Sequence, residues 1–105
     1  MIRIRDFLYI GKRHARTGRE LAAVLHCPIR DISELVEKER RTGTPILASC
    51  DSRCPGYYLA ETSEEVRNYC KGLHKRAGEI YKTRDALLKT ADRMAAEEAA
   101  EAGRL

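Results

Sequence analysis

Two helix-opening signals, at Thr17–Glu20 and at Pro28, lie between Thr17 and Gly43 with only a very short turn between the helices they open, and constrain this chain more than any other feature. Thr17-Gly18-Arg19-Glu20 has the form of a capping box, in which the threonine hydroxyl accepts the amide three residues on and the glutamate reaches back. Leu21, Val24 and Leu25 then fall at the spacing of one buried helix face. His26-Cys27-Pro28 breaks that helix, and Pro28 suits the first position of a new one, where its missing N–H is no loss. Ile32, Leu35 and Val36 give this second helix, expected over 28–42, an apolar stripe of its own, and Gly43 supplies a left-handed stop. Helix, very short turn, helix is the organisation that follows.

The flanks extend this unit on both sides. Ile4, Phe7 and Leu8 predict a short leading helix that ends near Gly11, and Lys12–Arg16 forms a basic connector. Beyond Gly43, Pro45-Ile46-Leu47-Ala48-Ser49 reads as a strand and Cys50 to Gly56 as a turn-rich connection. Tyr57-Tyr58-Leu59 reads as the returning strand, one of whose tyrosines packs inward by alternation. A second capping box, Thr62-Ser63-Glu64-Glu65, opens a last helix with no strong breaker before Gly103. The fold class is therefore mainly α with one small β-hairpin (α+β), divided into a domain over 1–61 and a long C-terminal helix with a frayed tail over 62–105. With 105 residues and no Trp, the core must be aliphatic.

The last helix carries a heptad. Val66, Leu73, Ile80, Leu87 and Met94 recur every seven residues, and Cys70, Ala77 and Ala91 accompany them, with Arg84 interrupting the second row. A helix from Ser63 into the nineties spans on the order of 50 Å, more than a domain of this size covers. A homodimer through Leu73, Ile80, Leu87 and Met94, of coiled-coil type, is expected, the alternative being a helix folded back on its own domain. Tyr69 and Tyr81 are expected to be packing or dimer contacts.

Charge is unevenly placed. The net charge is +4, and residues 1–27 carry six basic side chains against two acidic ones, whereas residues 61–105 hold nine of each. A basic front suits phosphate contacts. No apolar run approaches the about 20 residues of a membrane span, and Met1-Ile2-Arg3-Ile4-Arg5-Asp6 lacks the apolar core of a secretory leader. No membrane partner and a cytoplasmic location are expected.

The stretch from Thr17 to Leu59, carried by "TGRELAAVLHCPIRDISELVEKERRTGTPI" and a hairpin closing in "GYYLAETSEEV", resembles winged helix-turn-helix DNA-binding domains of bacterial and prophage type. The resemblance implies that the first helix of the pair positions the second in the major groove, and that the hairpin is a wing. It further implies a partner in double-stranded DNA and a role in transcription regulation or as a mobile-element DNA-binding factor. With Ile32, Leu35 and Val36 inward, the outward face presents Ile29, Arg30, Ser33, Glu34, Glu37 and Lys38. Arg30, Ser33 and Glu34 are the base-contact candidates, since the Arg fork donates twice to guanine and Glu accepts from cytosine. Lys12, Arg13, Arg16, Arg19, Arg41 and Arg53 are the phosphate candidates, with Arg40 at the helix end. A dimer would read two half-sites whose spacing the long helix sets.

The chain departs from that pattern in one respect. Residues 28–42 are neutral, with Arg30, Lys38, Arg40 and Arg41 balanced by Asp31, Glu34, Glu37 and Glu39, and related sequences usually place an apolar residue where Glu39 stands. Glu34–Lys38 and Glu37–Arg41 are the expected i, i+4 pairs. The alternative is a winged-helix module for protein contacts or assembly.

Other chemistry is weakly signalled. Cys50-x3-Cys54, with His26, Cys27 and Asp51, has donor chemistry for Zn²⁺ but lacks a second paired knuckle, so free thiols and no metal are expected. His14, His26 and His74 lie in separate elements, and no phosphate-cradling glycine loop is present. No cofactor and no enzymatic activity are expected.

Overall fold

The computed structural model describes residues 3–104. The expectation about the N-terminus rests in part on Met1 and Ile2, which lie outside the described residues. The chain divides into two compact units, one up to Tyr69 and one from Cys70 onward. The elements are α1 (Gly18–Leu25), α2 (Ile29–Arg41), β1 (Ile46–Ser49), β2 (Gly56–Leu59) and α3 (Ser63–Ala102), with 3₁₀ turns at Ile4–Phe7 and Lys12–His14. The protein is thus mostly helical with one two-stranded antiparallel hairpin and a long C-terminal helix.

The Thr17 capping box forms as its residues dictate: Glu20 N donates to Thr17 Oγ1 at 3.1 Å, and Thr17 N donates to the Glu20 carboxylate at 3.4 Å. α1 ends at His26, whose φ of 54° is left-handed, and the Cys27 amide closes the turn on the Ala22 carbonyl. His is among the residues that tolerate this region. Pro28 stands just before α2 as its N-cap, one position earlier than expected. α2 ends in a Schellman motif. Gly43 (φ 105°) donates to the Arg40 carbonyl at 3.1 Å and Thr44 donates to the Glu39 carbonyl at 3.0 Å.

Leu21, Ala22, Ile32, Val36, Ile46, Ile4 and Leu8 form the buried core, with Leu25, Leu35, Tyr57 and Leu59 packed around it. Each fully buried branched side chain here contributes about 1.5–3 kcal/mol of transfer free energy. One expectation fails: Val24 is 40% exposed, and Ala22 takes the inward position beside Leu21. The inward face of α1 is thus Leu21 and Ala22 with half-buried Leu25 beside them.

The leading segment also differs from expectation. Ile4 to Phe7 make a single 3₁₀ turn, not an α-helix, because Leu8 is already extended. The chain then runs along the outer edge of β2, where Gly11 N donates to Leu59 O at 3.0 Å and Leu59 N donates to Tyr9 O at 2.9 Å. Further on, Arg16 and Tyr57 exchange both backbone hydrogen bonds, at 2.9 and 2.7 Å. The opposite edge of β2 pairs with β1 in the register Ile46–Leu59 to Ser49–Gly56. Both edges of the short strand are therefore covered.

The second capping box is displaced by one amide. Glu65 N donates to Thr62 Oγ1 at 3.2 Å, but the Glu65 carboxylate accepts from Glu61 N at 3.0 Å instead of from Thr62 N. Along α3 no described residue is buried. No helix among the described residues is long and apolar enough to cross a membrane.

Candidate nucleic-acid interface

α2 presents the polar face that its periodicity predicts. Ile32 and Val36 are buried, while Ile29, Arg30, Ser33, Glu34, Glu37 and Lys38 are exposed. The Ser33 hydroxyl donates to the Arg30 carbonyl at 3.1 Å, which leaves its lone pairs outward. A shallow depression on this face is lined by Ser33, Glu34, Glu37, Lys38, Arg41 and Thr42.

The ion pairs on α2 differ from those expected. Glu37 pairs with Arg40 at 2.8 Å rather than with Arg41, and Glu34–Lys38 does not close among the described residues. Arg40 is held in place from three sides. Its Nε donates to the Ile46 carbonyl at 2.7 Å, its Nη1 to Glu37, and its Nη2 to the Tyr69 hydroxyl at 3.4 Å, with the guanidinium 5.6 Å from the Tyr69 ring centre. Arg40 therefore joins α2, β1 and the start of α3, and the Glu37 charge is spent locally.

The other basic candidates fall into two groups. Arg16 is turned inward, with Nη1 donating to the Phe7 carbonyl at 3.0 Å. Arg53 and Lys12 both converge on Asp51, at 3.2 and 3.7 Å. Arg13, Arg19, Arg30 and Arg41 are exposed, and none of them is in an ion pair among the described residues.

Asp51 organises the connection between β1 and β2. Its side chain accepts from Arg53 N at 3.0 Å, its carbonyl accepts from Cys54 N at 3.0 Å, and its own amide donates to Ser49 Oγ at 3.1 Å. The Arg53 guanidinium and amide, with Lys12 beyond them, hold its carboxyl below the usual aspartate value. Gly56 then turns the chain into β2 at φ 115°, and a Cβ there would run into the Arg16 carbonyl. Of the two tyrosines, Tyr58 is buried and its phenol is pushed above the usual value by that burial, with Glu65 adding to the effect.

Two features escaped the sequence. Glu39 accepts the Ile4 and Arg5 amides at 2.7 and 3.1 Å, anchoring the leading turn to α2. Beside it, Arg3, Arg5 and Lys38 line a cavity of about 580 Å³ with Leu35, Thr42 and Thr44, so the basic ground extends past the carboxyl half of α2. Alternating Arg3 and Arg5 was the available signal, but only the fold brings them to Lys38.

Cys50 and Cys70 are exposed, Cys27 and Cys54 half-buried, and all four are free thiols. Among the described residues no group of three or more Cys, His, Asp or Glu gathers as metal ligands do. On α3, Leu73, Ile80, Leu87 and Met94 are all exposed. A comparison with protein-family models, curated proteins and solved structures finds no match to this chain.

Proposed function

We propose that this chain is a DNA-binding protein of the winged helix-turn-helix kind, with α2 in the major groove and the hairpin as its wing. The observation that carries the proposal is the outer face of α2. Its inner face is locked on α1 across a three-residue turn, and Arg30, Ser33 and Glu34 stand exposed on its first turns. A recognition helix reads bases with the residues near its N-terminus, and Arg30 is the bidentate donor suited to guanine. Exposed Ile29 is placed to meet a thymine methyl.

The charge balance of this face is more favourable than the composition of α2 suggests. Glu37 and Arg40 neutralise each other and Glu39 is turned to the Ile4 and Arg5 amides, which leaves Arg30, Lys38 and Arg41 against Glu34 and half-buried Asp31, an excess of one cation. Arg13 and Arg19 supply phosphate contacts on the flank of α1, and Arg3 and Arg5 on the flank of α2. Arg16 serves the fold, and Arg53 reaches a phosphate only by exchanging Asp51 for it. Whether the DNA bound belongs to a promoter or to a mobile element follows from the target sequence.

Fluorescence anisotropy with random-sequence duplex DNA at two salt concentrations tests the proposal. Binding in the micromolar range that weakens steeply with salt is expected. Arg19→Ala lowers affinity on every duplex, and Arg30→Ala lowers it most on the preferred sequence once that is selected. Absence of binding at low salt overturns the proposal and transfers α2 to a protein-interaction role.

A further inference from the structure

From Leu73 to Met94, α3 carries an apolar stripe that stands exposed among the described residues. Ile80 and Leu87 are 66% and 64% exposed, and Leu88 and Tyr81 lie beside them at 57% and 56%. Four large apolar groups so exposed on one helix face require a partner. We propose that the partner is a second copy of this helix, and that the two run antiparallel.

The charge distribution argues for the copy and for its direction. Between Lys71 and Arg84 there are five basic side chains against one acidic. Between Asp85 and Ala102 there are five acidic against two basic. A helix with one basic and one acidic half complements itself only when reversed.

The stripe points the same way. In a parallel in-register pair Arg84 would abut its own copy at the seam, Ala77 and Ala91 would each face themselves across a gap, and no opposite charges would flank the seam. Reversal with Arg84 opposite Leu87 changes every layer. Ile80 then lies opposite Ala91 and Ala77 opposite Met94, so in these layers large meets small, while Leu73 at the end of the stripe meets the stem of Glu98. Outside the seam Tyr81 faces Leu88, and Arg76 faces Glu97, each pairing occurring twice by the two-fold symmetry. Arg84 is already disposed for such a seam. Its guanidinium lies 4.9 Å from the Tyr81 ring centre and 2.9 Å from Asp85, which leaves its methylene stem to pack on Leu87.

This inference stands apart from the DNA proposal, because it is read with no nucleic acid present. Sedimentation equilibrium of the full chain is compared for wild type, Arg76→Glu, Glu97→Arg and the double exchange, with far-UV circular dichroism to confirm equal helix content. Wild type is expected to be dimeric, each single reversal to weaken the dimer roughly tenfold, and the double exchange to restore it. The two positions are about 30 Å apart along one helix, so the rescue can arise only between chains. A wild-type chain that stays monomeric at high micromolar concentration overturns the proposal. So does a dimer in which the two reversals add without rescue, since a parallel pair does not bring Arg76 to Glu97.

Discussion

The carboxylate of Glu39, in the last turns of α2, accepts the backbone amide of Ile4 at 2.7 Å and that of Arg5 at 3.1 Å. These are charge-assisted bonds to the orphan donors that open a helical turn, and they seat Ile4, only 1% exposed, in the core. Glu39→Ala leaves the partly buried Ile4 amide without its acceptor, while the exposed Arg5 amide turns to water, and is expected to cost about 1–2 kcal/mol. Glu39→Gln keeps an acceptor and costs less. Thermal denaturation gives the order, and hydrogen exchange gives the place: the Ile4 and Arg5 amides exchange faster while the Glu20 amide, capped by Thr17, is unchanged.

Gly56 and Gly72 predict opposite signs for the same substitution. At Gly56 the backbone sits at φ 115° and an added Cβ meets the Arg16 carbonyl, so Gly56→Ala strains the turn and pries Arg16 from Tyr57. A loss of at least about 1–3 kcal/mol is expected from the backbone conformation alone. At Gly72, within α3, nothing lies within 4 Å of a Cβ. Gly72→Ala is expected to raise helix stability by about 0.5–1 kcal/mol. Urea titrations of both variants decide the matter, and a neutral Gly56→Ala would refute the role given to that glycine.

The parts of the fold legible in the sequence are those whose determinants are local. Thr17 and Glu20 cap α1 from three residues apart, and Gly43 stops α2 through the two amides that follow Thr42. Ile4 to Gly11 departs from the expected helix because its conformation is imposed from afar, by Glu39 on one side and by the edge of β2 on the other. Their apolar spacing is shared by a helix and by a segment that is half turn and half extended. For the candidate interface, the face of α2 followed from periodicity, but the availability of each arginine did not. Arg16, Arg40 and Arg53 look like Arg13, Arg30 and Arg41 in the sequence, yet the first three are held by Phe7, Ile46 and Asp51. Only the partner set by the fold separates an arginine that builds from one that is free to bind.

Acid is expected to loosen the connection between β1 and β2. Arg53 and Lys12 favour the charged form of Asp51 in the folded protein, so its pKa lies below the ordinary 3.8. A lowered carboxyl contributes stability above the ordinary value and loses it as the pH falls through the folded one. The Arg53 amide resonance, followed by NMR, should therefore titrate with a midpoint below 3.8, and Asp51→Asn should abolish that titration. A midpoint at or above the ordinary value would show that Asp51 is not held by Arg53 in solution.

The same aspartate restrains the DNA affinity that we propose. Arg53, with a side chain 88% exposed, and Lys12 share the single carboxylate of Asp51, so both must give up part of that attraction to meet phosphate. Asp51→Asn removes the competing charge and, with a side-chain oxygen still placed to accept the Arg53 amide, loosens the connection no more than acid does. The variant is expected to bind random-sequence duplex more tightly than wild type at low salt. The dependence of log K on log salt should steepen by roughly one phosphate contact. Arg53→Ala should then cost more affinity in the Asp51→Asn background than in wild type, because only there is the guanidinium free. An equal loss in both backgrounds would mean that Arg53 reaches DNA regardless of Asp51, and no loss in either would remove the hairpin from the interface while leaving α2 in it.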